Sequence, residues 1–206
     1  MPLNVKLIEN HPINSNSFII YDKAINNECI IIDPGTKDCF DLELFISKHK
    51  LSPTKIILTH EHFDHCWGCN YLQKKYNIPI LCSEFCSERV RHHKTNYSVF
   101  YNPQCSFDVL GKIINVHDHD VINFNSYNIN IYITPGHTDS SITIIIDNHI
   151  FTGDSLIKGL KTVTKLPGGS RTKLLETISF YRNLKGNNYI VHPGHLEEFS
   201  LDQYIF

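Results

Sequence analysis

The chain has 206 residues, 41% of them hydrophobic and 19% charged, with a formal net charge of −2. That balance suits one globular domain over 1–206, or a tightly fused pair of half-domains, and excludes a disordered or fibrous chain. The weak charge excludes a strong electrostatic footprint for nucleic acid, and no apolar run has the length of a membrane span or an export signal. A cytoplasmic protein acting on a small molecule, with no nucleic-acid or membrane partner, is expected; no apolar patch assigns an oligomeric state.

Short β-type runs come first, at 5–8, 18–21 and 29–32, the last closing on the turn signal Asp33-Pro34-Gly35. Residues 38–49 read as an amphipathic helix with Phe40, Leu44 and Phe45 on its apolar face. A brief strand at 55–58 runs into Thr59-His60, residues 66–76 look helical, and 78–81 is another strand. The polar and aromatic stretch 92–111 reads as a long surface connection, a lid or pocket wall. Strands are expected at 112–116, 129–134, 141–146, 149–152 and 189–191, with a helix over 171–184 and a helical last ten residues. Strand-rich halves with interspersed helices point to two sheets packed face to face with helices outside, an α/β layered architecture.

The seven cysteines are an odd number, and in a reducing compartment they read as buried thiols. Cys66/Cys69 and Cys82/Cys86 have spacings that a structural zinc site could use. The first pair falls in an expected helix, where positions i and i+3 share a core-facing side, so packing is the simpler reading.

Polar residues gather where strands end. Thr59-His60-Glu61-His62-Phe63-Asp64-His65 follows 55–58, Thr134-Pro135-Gly136-His137-Thr138 follows 129–133, Thr152-Gly153-Asp154-Ser155 follows 149–151, and His192-Pro193-Gly194-His195 follows 189–191. A lone PGH or GD is ordinarily a turn or a cap. HxHxDH is sharper, because four metal-competent side chains in six residues have no packing purpose. Imidazole with carboxylate suits zinc, and also iron or manganese. The donors divide between two ions: His60, His62, His137 and Asp154 on one; Asp64, His65, His195 and a bridging Asp154 on the other. His192 is read as a supporting or surface residue, and His92, His93, His117 and His119 as solvated.

On these motifs the sequence resembles the metallo-β-lactamase fold superfamily, from Asp33-Pro34-Gly35 through Pro193-Gly194-His195. Within it the sequence is similar to glyoxalase II (hydroxyacylglutathione hydrolase-like) enzymes at Thr134-Pro135-Gly136-His137-Thr138, at 151–156 and at Leu166-Pro167-Gly168-Gly169-Ser170. The resemblance implies an αββα sandwich of two mixed sheets flanked by helices. It also implies a dinuclear centre of divalent ions, zinc first, on the seven residues named above. Where relatives carry a Gly-Arg-Thr-Asp segment, this chain has Thr162-Val163-Thr164-Lys165, and it is too short for the C-terminal glutathione-binding domain. The expected activity is therefore hydrolysis of a thioester, ester or lactone, with Asp64 orienting the attacking water and shuttling its proton. Thr59, Thr138 and Asp33 are expected to hold the imidazoles.

Trp67 and the Tyr97, Phe100, Tyr101 group are candidate pocket walls, and Lys158, Lys161 and Lys165 a candidate anion contact or a solvated loop. Rival readings are a persulfide dioxygenase-like enzyme with one iron on His60, His137 and Asp154, and a metal-binding module without turnover. A β-lactamase is disfavoured by the absence of an export signal and by His65, which classical enzymes of that type often replace.

Overall fold

The computed structural model describes residues 3–206. The chain divides after Asn115 into two compact units. Among the described residues no helix is long and apolar enough to cross a membrane.

The first unit is built on a mixed six-stranded sheet: β1 (Asn4–Asn10), β2 (Ser15–Tyr21), β3 (Glu28–Ile32), β4 (Ser52–Ile57), β5 (Ile80–Ser83) and β6 (Ile113–Val116), paired in that order. β1, β2 and β3 are antiparallel neighbours, whereas β3/β4 and β4/β5 are parallel. β2 and β3 are buried on both faces, which explains the unbroken apolar runs at Phe18-Ile19-Ile20 and Ile30-Ile31-Ile32. Helix α1 (Phe40–His49) makes the crossover that a parallel pair requires. Its buried residues are Leu42 and Ile46, while Phe40 and Leu44 are exposed. Of the expected apolar face only Phe45 packs on the core; Phe40 and Leu44 were misassigned, because they and the pair Leu42 and Ile46 have the same i, i+4 spacing and periodicity alone cannot choose between them.

The single helix expected over 66–76 is two helices, α2 (Phe63–Cys66) and α3 (Cys69–Tyr76), separated around Gly68. Gly68 donates its amide to the Pro34 carbonyl at 2.8 Å, and a Cβ there would strike the Cys39 thiol and the Thr36 carbonyl. The break lets the loop after β3 lie directly on the chain. Helix α4 (Glu84–Arg89) was not anticipated, and the connection that follows carries a one-turn helix, α5 (Ser98–Tyr101), and a 3-10 turn at Pro103–Cys105.

The second unit holds β7 (Val121–Phe124), β8 (Tyr127–Ile133), β9 (Ile142–Ile146), β10 (His149–Gly153), β11 (Ile190–Pro193) and β12 (Phe199–Ser200), also paired in chain order. Only β10 and β11 run parallel, joined through helix α6 (Arg171–Asn183). Strand β7 was not anticipated; it forms a hairpin with β8 in which Phe124 faces Tyr127. The helix expected in the last ten residues is absent. Phe199 pairs with Val191 instead, Leu201 is buried, and the Asp202 carboxylate accepts amides from Gly186 and Asn188. Those tertiary partners outweigh the local helical tendency.

Cys29, Cys39, Cys66, Cys69, Cys82 and Cys86 are buried in the core of the first unit among Ile19, Ile31, Leu42 and Ile56. Burial pushes the Cys29 thiol up to about 12 and holds Cys66, Cys69 and Cys86 well above the ordinary thiol range. A thiol-disulfide indicator at pH 8 should therefore titrate about one cysteine in the native protein, the half-exposed Cys105, and all seven after denaturation. Rapid native reaction of three or more would contradict this packing.

Candidate metal centre

In the first unit the site grows from the parallel neighbours β3 and β4. Ile32 lies opposite Ile57, so the residues that follow each strand emerge side by side. Asp33 follows β3, and its carboxylate accepts the Thr59 amide at 2.8 Å, the Thr59 hydroxyl at 2.6 Å and His65 Nδ1 at 3.0 Å. Thr59 Oγ1 gives its only proton to Asp33 and so accepts from His60 Nδ1 at 3.0 Å. Both His60 and His65 therefore carry the proton on Nδ1, and Nε2 offers a lone pair. The rings of His62 and His65 lie 4.6 and 4.3 Å from that of His60, and His65 Nε2 is 3.7 Å from Asp64 Oδ2. His60, His62, Asp64 and His65 are all buried.

The loop carrying these residues is held by buried polar groups far away in sequence. Ser15 Oγ donates to the Asp64 carbonyl at 2.5 Å and is itself bonded by Asn10. Ser17 Oγ donates to the Asp33 carbonyl at 2.6 Å. Gly35 is enclosed by the Asp64 carbonyl and the Asn10 and Ser15 side chains, leaving no room for a Cβ. Glu61, fully buried between the first two histidines, is paired with Arg89 at 3.0 Å.

The second unit repeats the logic on β10 and β11. Gly153 pairs with Pro193, and the Gly194 amide donates to the Gly153 carbonyl at 2.8 Å, so Asp154 and His195 leave the sheet together. His195 Nε2 and His137 Nε2 each lie 3.6 Å from Asp154 Oδ2. His137 Nδ1 is 2.9 Å from the Val163 carbonyl, an acceptor only, which fixes the Nδ1–H tautomer here as well. Gly136 has φ of 150° and packs on the backbone of Leu174, leaving no space for a side chain. The 3.6 Å spacings are too long for hydrogen bonds. They approach the edge of a tetrahedral shell with bonds of about 2.0–2.1 Å, roughly 3.4 Å. The donor types, and the spacings about Asp154, thus suit a borderline divalent ion.

Thr59 and Asp33 hold imidazoles as expected. Thr138 does not share that role, since its hydroxyl is engaged by Ser140 and Ser141. His192 is not a surface residue. It is buried, stacks on Phe151 and meets His149 Nδ1 at 2.8 Å through Nε2, with Glu198 at 3.7 Å from its Nδ1. His93 is likewise not merely solvated, because it is bonded to Asp108. Lys158, Lys161 and Lys165 are exposed. Val163, Ser15 and Arg89 escaped the sequence reading: a backbone carbonyl, a serine 49 positions from its partner and a remote arginine carry no local motif.

The sequence profile of the metallo-beta-lactamase superfamily matches residues 12–195. The chain belongs to that superfamily, and its two mixed sheets with flanking helices are that fold. A probable metallo-hydrolase of Methanocaldococcus jannaschii is 29% identical over 196 residues, covering 89% of this chain and 88% of its own. Among solved structures, the BLEG-1 B3 metallo-beta-lactamase matches with a TM-score of 0.88 at 24% identity, over 97% of this chain and 95% of its own. The protein TTHA1623 in a di-iron-bound form matches with a TM-score of 0.81 at 19% identity, over 95% and 94%. At these identities the two structures show the fold alone.

Two outcomes follow. Arg89→Met should destabilise the protein by about 3 kcal/mol in urea unfolding, because it removes the ion pair that the buried Glu61 makes with Arg89. Glu61→Gln added to it should restore most of the loss, which a loss of Arg89 packing alone would not allow. Burial and the adjacent His192 lower His149 from 6.5 to about 4. The folded state then resists protonation that the unfolded chain accepts, so stability is complete above about pH 6.5 and falls as pH drops toward 4. Discounted for the partial exposure of the ring, wild type should lose about 1 kcal/mol more than His149→Phe between pH 7.5 and 5.

Proposed function

We propose that this chain is a dinuclear metal-dependent hydrolase of a thioester, ester or lactone. In this reading His60, His62, His137 and Asp154 hold one ion, and Asp64, His65 and His195 hold the other, with Asp154 shared. Residues 1–206 are read here as one catalytic domain. The observation that carries the reading is the fixing of three imidazoles, His60, His65 and His137, as Nδ1–H tautomers by Thr59, Asp33 and the Val163 carbonyl. A histidine held that way presents Nε2 as a ligand, and nothing in packing alone calls for three of them. Superfamily membership and the metallo-hydrolase relative support it further.

Bound divalent ions, zinc first, would supply a nucleophile at neutral pH and Lewis acidity toward a carbonyl. The chain's own residues do the rest. Asp64 has its backbone carbonyl held by Ser15 and its carboxylate beside His65, so it can accept a proton from the attacking water and pass it to the leaving group. Asp33 and Thr59 keep the imidazoles from turning and raise their basicity. The substrate in this reading is a small molecule rather than nucleic acid, and the buried free thiols suit a cytoplasmic, reducing setting.

The test is metal quantification on protein purified without added metal, paired with a panel of thioesters, esters, lactones and β-lactams. Two metals per chain are expected, and clearly fewer than two in His62→Ala and in Asp154→Ala. Asp33→Ala should weaken metal affinity about 10–100-fold. Unchanged stoichiometry in both ligand variants would sink the assignment, and one iron per chain with oxygen consumption would replace hydrolysis by dioxygenation.

A further inference from the structure

The connection between α4 and β6 places a row of aromatic rings against a proposed ligand. Tyr97 sits edge-on to the His62 ring at 5.1 Å, and Phe100 lies 6.2 Å beyond Tyr97. Next to His62 in sequence, Phe63 stacks on Tyr101 at 4.8 Å. Trp67 meets both edge-on and is backed by Phe107, stacked almost parallel at 6.1 Å. The row carries no charged side chain, yet Phe100 is 73% exposed and Tyr101 48%.

This exposure is not that of a loose loop. The buried Asn96 gives its amide to the carbonyls of Val90 and Phe107 and accepts the Ser98 amide, and the buried Ser98 hydroxyl accepts the Phe107 amide. Tyr97 is held between them at φ of 66°, a left-handed backbone that an aromatic residue adopts only when its surroundings impose it. A polar clasp thus fixes apolar rings in water, beginning at a histidine that the hydrolase reading makes a metal ligand. Because Phe63, Tyr101 and Trp67 pack on one another, the row offers ring faces and edges rather than the open cage a cation needs.

We propose that the Tyr97–Phe100 row, backed by Phe63, Tyr101 and Trp67, is the specificity surface for an apolar acyl group, aryl or medium-chain alkyl, on the substrate. The inference rests on the hydrolase reading and names the substrate class of that same site. An occupant lying on these rings also abuts His62, which is where the acyl carbon must come. A short polar acyl group would leave Phe100 in water and gain nothing from it.

The experiment compares acetyl, hexanoyl and phenylacetyl thioesters of one thiol, with wild type, Phe100→Ala and, as a control, Phe40→Ala on the exposed face of α1. In wild type the hexanoyl and phenylacetyl esters should exceed acetyl in kcat/KM by about tenfold or more. Phe100→Ala should bring that ratio close to one, and Phe40→Ala should keep it. Trp67, the only tryptophan, gives a second readout that needs no turnover. Phenylacetate should perturb its fluorescence, with an apparent Kd about tenfold weaker in Phe100→Ala, and acetate should not. Absence of hydrolysis across the panel with a positive titration would overturn the hydrolase reading alone. Equal ratios in wild type and Phe100→Ala, or no response to phenylacetate, would overturn this proposal, as would a concentration-dependent dimer that Phe100→Ala abolishes.

Discussion

The Asp33 carboxylate is the group on which the order of the first unit's site depends. Buried at the end of β3, it binds the amide and hydroxyl of Thr59 after β4 and the imidazole of His65 in α2. A carboxylate out of water requires its full set of donors, and here these come from positions 26 and 32 residues away. Loop path and imidazole tautomer are thereby set by one side chain. Ser17 extends the same constraint to the backbone by binding the Asp33 carbonyl, and Ser15 extends it to Asp64.

Both units place their polar residues by one architectural device. Parallel neighbours, β3/β4 in one and β10/β11 in the other, release their chains at the same edge of the sheet after a helical crossover. Antiparallel hairpins would send successive ends in opposite directions; parallel pairs bring them together. The glycines at 35 and 136 then allow backbone and side chains to approach where a Cβ would not fit. In the second unit the contact between the Gly194 amide and the Gly153 carbonyl does for Asp154 and His195 what the Asp33 carboxylate does in the first.

Around these frames, polar groups outside the proposed ligand set fix the geometry of groups within it. Arg89 pairs with the buried Glu61 within the loop that carries His60 and His62. Asn96 and Ser98 hold the aromatic row beside His62, and His192 joins β10 to β11 through His149. In each case a satisfied buried hydrogen bond, rather than apolar packing, selects one conformation of a loop. That gives loops at the site a rigidity their exposure would not suggest.

Much of this was legible along the chain. The alternation of strands and helices, the turn at Asp33-Pro34-Gly35 and the dense HxHxDH cluster are local patterns, and local patterns are what a linear reading resolves. The readings that failed needed information from elsewhere in the fold. Periodicity in α1 allowed two faces, and only the sheet beneath selected Leu42 and Ile46. The last ten residues look helical until Val191 and Gly186 offer Phe199 and Asp202 their partners. The support of His137 passed from the expected Thr138 to the Val163 carbonyl, a group every residue possesses and no motif marks. By itself, then, the sequence determined which side chains can ligate and at which strand ends they lie, because ligand chemistry belongs to the residue. Tertiary structure alone decided which nitrogen each fixed imidazole presents and what holds it there, because a tautomer is chosen by a hydrogen-bond partner brought near only by folding.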